Sequence, residues 1–108
     1  MRIVSGEFGS RQIKSLKSDI SRPTSDKVRA AIFDHLGSYF DGGKFLDLFS
    51  GTGAMSLEAL SRGFSNVVMV EMNRKAAKII QENIRDFKVE TKSQVKIMNV
   101  HAFIKGSS

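Results

Sequence analysis

The sequence contains no cysteine and a single proline among its 108 residues. Without cysteine there is no disulfide framework, no thiolate metal site and no thiol nucleophile, and no metal centre is expected. No apolar run approaches the length that crosses a membrane. The amino terminus also lacks the succession of charged, apolar and small residues that makes a signal peptide. A cytoplasmic location without a membrane partner is therefore expected. Repeats, low-complexity tracts and linkers are missing too. What remains is ordinary globular material, 41% apolar and 26% charged, enough for one domain with a modest core.

Charge is the first asymmetry. Seventeen Lys and Arg face eleven Asp and Glu, a net charge of +6. Residues 1–29 hold Arg2, Arg11, Lys14, Lys17, Arg22, Lys27 and Arg29 against Glu7, Asp19 and Asp26. Such a balance suits a polyanion, through phosphate contacts and counterion release, and equally suits a solvated basic face.

Along the chain, residues 2–7 and 11–16 read as two short strands around Gly9-Ser10, a β-hairpin. In "SRPTSDKVRAAIFDHLG" Pro23 disfavours helix at Arg22, and Thr24 or Ser25 can cap. Val28, Ala31, Ile32 and Leu36 recur at helical spacing, and Gly37 is placed to end the helix. His35 on this helix reads as structural. After Asp41-Gly42-Gly43 the pattern predicts a buried strand over 44–49, a short helix over 54–62 and a valine-rich strand over 66–71. A third helix follows, capped by Asn73 with Ala77, Ile80, Ile84 and Phe87 on one side, then a strand over 94–100. Strands alternating with helices at this spacing mean a right-handed parallel α/β sheet. With three parallel strands and an unfinished element after His101, the chain is expected to be part of a larger domain.

The stretch "DLFSGTG", Asp47 to Gly53, turns from the first strand into the helix. In such a unit ligands bind at the carboxyl ends of the strands, beside the glycine-rich turn. Gly51 permits the tight turn, and Gly53 is expected to let a ligand approach the backbone. Glu71 ends the next strand, where an acidic side chain accepts hydrogen bonds from ribose hydroxyls. An adenosine-containing cofactor follows. A dinucleotide-dependent oxidoreductase would carry Gly or Ala where Ser56 stands, and Asp47 would repel a pyrophosphate. The same carboxylate favours a cationic ligand, which selects S-adenosylmethionine.

"DLFSGTGAMSLEALSRG" and "NVVMVEMNRKAAKIIQENI" resemble the opening motifs of Rossmann-like S-adenosylmethionine methyltransferases. With "MRIVSGEFGSRQIKSL" and "RPTSDKVRAAIFDHL" upstream, the chain closely resembles the bacterial 16S rRNA guanine-N2 methyltransferases over essentially its whole length. The resemblance implies a Rossmann-like α/β fold reduced to its first three parallel strands, with residues 1–40 as a hairpin-plus-helix extension and 41–108 as the cofactor-binding half. It places Asp47, Gly51 and Gly53 on the cofactor loop and Glu71 at the ribose. It places Met72 on the adenine, and His101 and Ala102 where the adenine amine is recognised, although an acidic or amide residue is the usual occupant there. It makes ribosomal RNA or the small ribosomal subunit the expected partner, with Arg11, Lys14, Lys17 and Arg22 positioning phosphates.

The catalytic motif of such amine methyltransferases is Asn or Asp, two prolines and an aromatic. Pro23 is the one proline here, so no residue is expected to be catalytic and the isolated chain is expected to be inactive. Its open sheet edge is expected to promote self-association. A DNA amine methyltransferase shares the loop, and a non-catalytic RNA-binding module shares the charge; both are alternatives.

Overall fold

In a computed structural model, described for residues 1–16, 25–48 and 50–106, the chain forms four helices and three strands. They run in the order α1 (Ser25–Leu36), β1 (Lys44–Asp47), α2 (Ala54–Ser61), β2 (Asn66–Glu71), α3 (Arg74–Phe87), β3 (Ser93–Ile97) and α4 (Val100–Gly106), with a 3₁₀ turn at Glu90–Lys92 before β3. The strands are parallel in the order β1-β2-β3. The α/β reading is therefore correct. The outer edges of β1 and β3 have no neighbouring strand among the described residues.

Register decides which side chains meet the core. Phe45 pairs with Val67 and Asp47 with Met69 in the β1–β2 ladder. Because side chains alternate along a strand, these four share one face. On that face Val67 and Met69 pack with Leu57, Ala59, Leu60, Ile80, Ile84 and Phe87 from α2 and α3. The helix α3 follows its sequence pattern closely. Asn73 caps it by accepting from the Ala76 N–H at 3.0 Å, and Ala77, Ile80, Ile84 and Phe87 are buried.

The helix α1 does not follow its pattern. Val28, Ile32 and Leu36 are exposed, whereas Arg29 and Phe33 are buried. Phe33 joins Phe40 and Phe45, with ring centroids 6.2 and 5.8 Å away. Arg29 is drawn inward by Glu58, which is fully buried on α2. Glu58 accepts from Arg29 Nε at 3.0 Å and Arg62 Nε at 2.8 Å. It also accepts from the Val4 and Ser5 N–H groups at 2.9 and 3.1 Å. Burial pushes the Glu58 pKa up, but the hydrogen bonds from Arg62, Val4, Arg29 and Ser5 together outweigh it and hold the carboxyl below its ordinary range.

The same contacts reshape the expected hairpin. Residues 1–3 and 11–13 do pair antiparallel, with one bridge between Arg2 and Gln12 and with Ile3 and Ile13 buried. Full strands do not form, because residues 4–8 bond to α2 instead. Val4 and Ser5 donate to Glu58, Glu7 to the Ser61 carbonyl and Phe8 to the Ser61 hydroxyl.

Candidate cofactor site

The turn from β1 into α2 is tied on all sides. The Ser50 N–H donates to the Val70 carbonyl at 3.2 Å, and the Ser50 hydroxyl donates to the Asp47 carbonyl at 3.0 Å. The Gly53 N–H closes the turn onto the Ser50 carbonyl at 2.7 Å. Gly51 and Gly53 both have positive φ, 54° and 88°, a conformation that favours glycine. Their open sides differ from expectation. A Cβ on Gly53 would point inward, 3.4 Å from the Met69 sulfur and 3.6 Å from Ile80. A Cβ on Gly51 would meet no described atom within 4 Å. Gly53 therefore allows α2 to start close against β2 and α3, and the side of Gly51 is open among the described residues.

The two acids flank this turn. Glu71 reaches back from the end of β2, its Oε1 accepting from the Gly51 N–H at 2.7 Å and its Oε2 from the Asn73 N–H at 2.9 Å. One carboxylate thus joins the turn, the strand end and the start of α3. Asp47 Oδ2 accepts from the Ser56 hydroxyl at 3.2 Å. Ser56, which stands where a dinucleotide motif prefers Gly or Ala, is fully buried and orients that acid.

Beside Glu71 lies a cleft of about 410 Å³ lined by Leu48, Val70, Glu71, Met72, Met98, Asn99, Val100, His101 and Ile104. Its walls are mainly apolar, with one carboxylate, one amide and one imidazole among the lining side chains. Of the residues expected in the site, Glu71, Met72 and His101 line this cleft, and Asp47, Gly51 and Gly53 form the adjoining turn. Ala102 is not on the wall. Its N–H donates to Asn99 Oδ1 at 2.9 Å, a cap for α4. Asn99, expected within the strand over 94–100, instead lies just before α4 and caps it.

The basic residues are placed unevenly. Lys17 and Arg22 lie outside the described residues. The Arg11 guanidinium stacks 4.1 Å from the centroid of the Phe87 ring and donates to the Asp86 carbonyl at 2.8 Å. Lys14 Nζ pairs with the Asp86 carboxylate at 3.3 Å, both groups about half exposed. Arg11 and Lys14 therefore sit together over the last turn of α3.

The profile of the family described as "Conserved hypothetical protein 95" matches residues 1–107. The chain belongs to this family. It is 41% identical over 95 residues to protein YlbH of Bacillus subtilis, covering 88% of the chain and 52% of the relative. It is 31% identical over 102 residues to "Ribosomal RNA small subunit methyltransferase D" of Escherichia coli K12, covering 94% of the chain and 50% of the relative. A solved hypothetical protein of Thermus thermophilus superposes with a TM-score of 0.84 at 33% identity, over 99% of this chain and 60% of the other. The resemblance carried by the four sequence motifs is thus borne out, and the fold is that of the Rossmann-like methyltransferases. The chain spans about half the length of the curated relatives it matches.

Proposed function

We propose that these residues are the S-adenosylmethionine-binding half of a methyltransferase that modifies a guanine exocyclic amine of small-subunit ribosomal RNA. The observation that carries this reading is the junction at Glu71, where an open glycine turn with an acid on each side meets a mainly apolar cleft. The site fits the cofactor chemically. Glu71 uses one bond per carboxylate oxygen within the fold, so lone pairs remain for ribose hydroxyls. Met72, Met98 and Ile104 offer apolar walls to a flat base. Asp47 supplies negative charge beside the turn, which favours a cationic ligand and opposes a pyrophosphate.

When bound, S-adenosylmethionine supplies a methyl group activated by its sulfonium. The residues described here hold and orient; none of them is assigned to the acceptor. Holding an amine in line with a methyl group is a positioning task, and we assign it to the remainder of the parent protein. Ribosomal RNA as substrate is supported by the name of the E. coli relative and by the basic residues Arg11 and Lys14.

Titration calorimetry on the full-length parent tests the cofactor. S-adenosylmethionine should bind and NAD should not, and Asp47→Ala should weaken binding at least about tenfold, the scale of one charge-assisted contact. Equal NAD binding, or an unaffected variant, refutes the assignment. In a labelled-methyl assay on unmethylated small-subunit RNA, the parent should transfer and the 108-residue chain should not; activity in the shorter chain would bring the chemistry back to Glu71 and His101.

A further inference from the structure

Asn83 lies on the third turn of α3, 1% exposed, and belongs to neither the cleft nor the apolar core. Its carboxamide is bonded at both ends. Oδ1 accepts from the Lys14 N–H at 2.9 Å, and Nδ2 donates to the Lys14 carbonyl at 3.0 Å and to the Thr52 carbonyl at 3.0 Å. Pairing with both backbone groups of Lys14 copies the way a neighbouring strand would hold that residue. Thr52 stands between Gly51 and Gly53. With the Gly53 N–H on Ser50, the peptide joining Thr52 to Gly53 is fixed at both of its polar ends. One buried side chain therefore holds the amino-terminal segment and the glycine turn at the same time. The cationic groups of Lys14 and Arg11 are anchored one turn further along α3, at Asp86.

We propose that Asn83 is a positioning residue that couples polyanion binding on the amino-terminal segment to the conformation of the cofactor turn. The proposal rests on the reading above, in which that segment meets RNA and the turn meets S-adenosylmethionine. The amide plane of Asn83 can satisfy Thr52 only in the orientation that Lys14 imposes. A shift of the Lys14 backbone must either carry the amide with it or leave a buried carbonyl without a donor, and the second outcome is the costly one. Movement at Lys14 thus reaches Thr52 through three hydrogen bonds. Coupling between two ligands is reciprocal, so cofactor binding biases the segment to the same degree.

The test is a thermodynamic cycle on the full-length parent, with cofactor affinity measured with and without a saturating small-subunit ribosomal RNA transcript. The expected ratio of affinities in the wild type differs from one by at least about fivefold. In Asn83→Ala it should lie within about twofold of one, an outcome that a loss of stability alone would not produce. A ratio preserved in Asn83→Ala, or a ratio of one in the wild type, overturns the proposal. A second measurement needs no variant. In the wild type without cofactor, RNA should slow amide hydrogen exchange at Lys14 and Gly53 together; slowing at Lys14 with none at Gly53 also overturns it. If S-adenosylmethionine does not bind the wild type at all, the cofactor reading has failed, and the exchange measurement still decides the coupling.

Discussion

The helices α1 and α3 present the same kind of periodic stripe and resolve it in opposite ways. In α3 the apolar side is buried and the basic side is exposed, as amphipathic patterning predicts. In α1 an arginine is buried at 2% exposure, while Ile32 and Leu36 remain 41% and 57% exposed. The difference is made by a third helix. Glu58 on α2 needs cationic partners once it is buried, and Arg29 and Arg62 supply them from two directions. A stripe of apolar residues shows that a helix has a preferred face. It does not show that the described core receives that face.

The largest expected effect follows from this contrast. Glu58→Ala removes the buried carboxylate shared by Arg29 and Arg62, which keep only the more exposed Asp26 and Asp34, and frees two backbone donors, which should cost about 3–5 kcal/mol. Ile80→Ala on α3, at 1% exposure, should cost about 2–5 kcal/mol through loss of burial and a residual cavity. Denaturant unfolding of the parent gives both numbers, and a loss below about 1 kcal/mol for Glu58→Ala would contradict the clasp. The pH dependence separates the two mechanisms. The folded-state pKa of Glu58 lies below its ordinary value of 4.5. Its stabilisation is therefore fully present above that value and is lost as pH falls through the lower, folded one. Stability of the wild type and of Ile80→Ala should share this acid limb, and Glu58→Gln should flatten it.

Legibility in the sequence divides along the same line. The strand Asn66–Glu71, the Asn73 cap, the buried side of α3 and the glycine turn were readable because each is a local pattern within a few residues. The clasp and the Asn83 link were not. Glu58 bonds to Val4 and Ser5, and Asn83 bonds to Lys14 69 positions away. Contacts at such separation leave no period, and Glu and Asn on helices ordinarily face water. The hairpin was overestimated for a related reason: its backbone donors had a stronger acceptor on α2 than on the facing segment. The inward direction of Gly53 was hidden because a glycine-rich turn marks a close approach without saying from which side.

A smaller effect should separate the outer stripe of α1 from its inner one. Val28, Ile32 and Leu36 are exposed on α1, as is Leu46 on β1 beside an edge with no strand neighbour among the described residues. We expect the remainder of the parent to cover the exposed stripe of α1. Ile32→Gln should then cost about 1.5–3 kcal/mol in the full-length protein. In the 108-residue chain it should change stability by less than about 0.5 kcal/mol. It should also reduce concentration-dependent self-association seen in sedimentation. An equal effect in both chains would mean that the stripe is a true surface, and α1 would then be an exception to burial in the parent as well.

The smallest effect concerns Lys14, whose ammonium is half exposed and paired with one carboxylate, against Arg11, whose guanidinium is stacked on a ring. An exposed pair with Asp86 contributes at most about 1 kcal/mol to the fold, so Lys14→Gln should leave unfolding nearly unchanged. Its effect should appear in RNA binding. Each phosphate contact released from a single strand lowers the slope of log affinity against log salt by about 0.7, and from a duplex by about 0.9. Lys14→Gln should remove one such unit. Arg11→Gln should remove a similar unit and also destabilise the fold, since it breaks the stack on Phe87 and the bond to the Asp86 carbonyl. Filter binding of a small-subunit RNA transcript across a salt series, paired with thermal melts, reads both quantities on the same proteins. An unchanged slope in Lys14→Gln would make its ammonium a partner of Asp86 alone. RNA contact would then have to come from basic residues elsewhere in the parent, and the Asn83 link would have no phosphate-bearing ligand at its outer end.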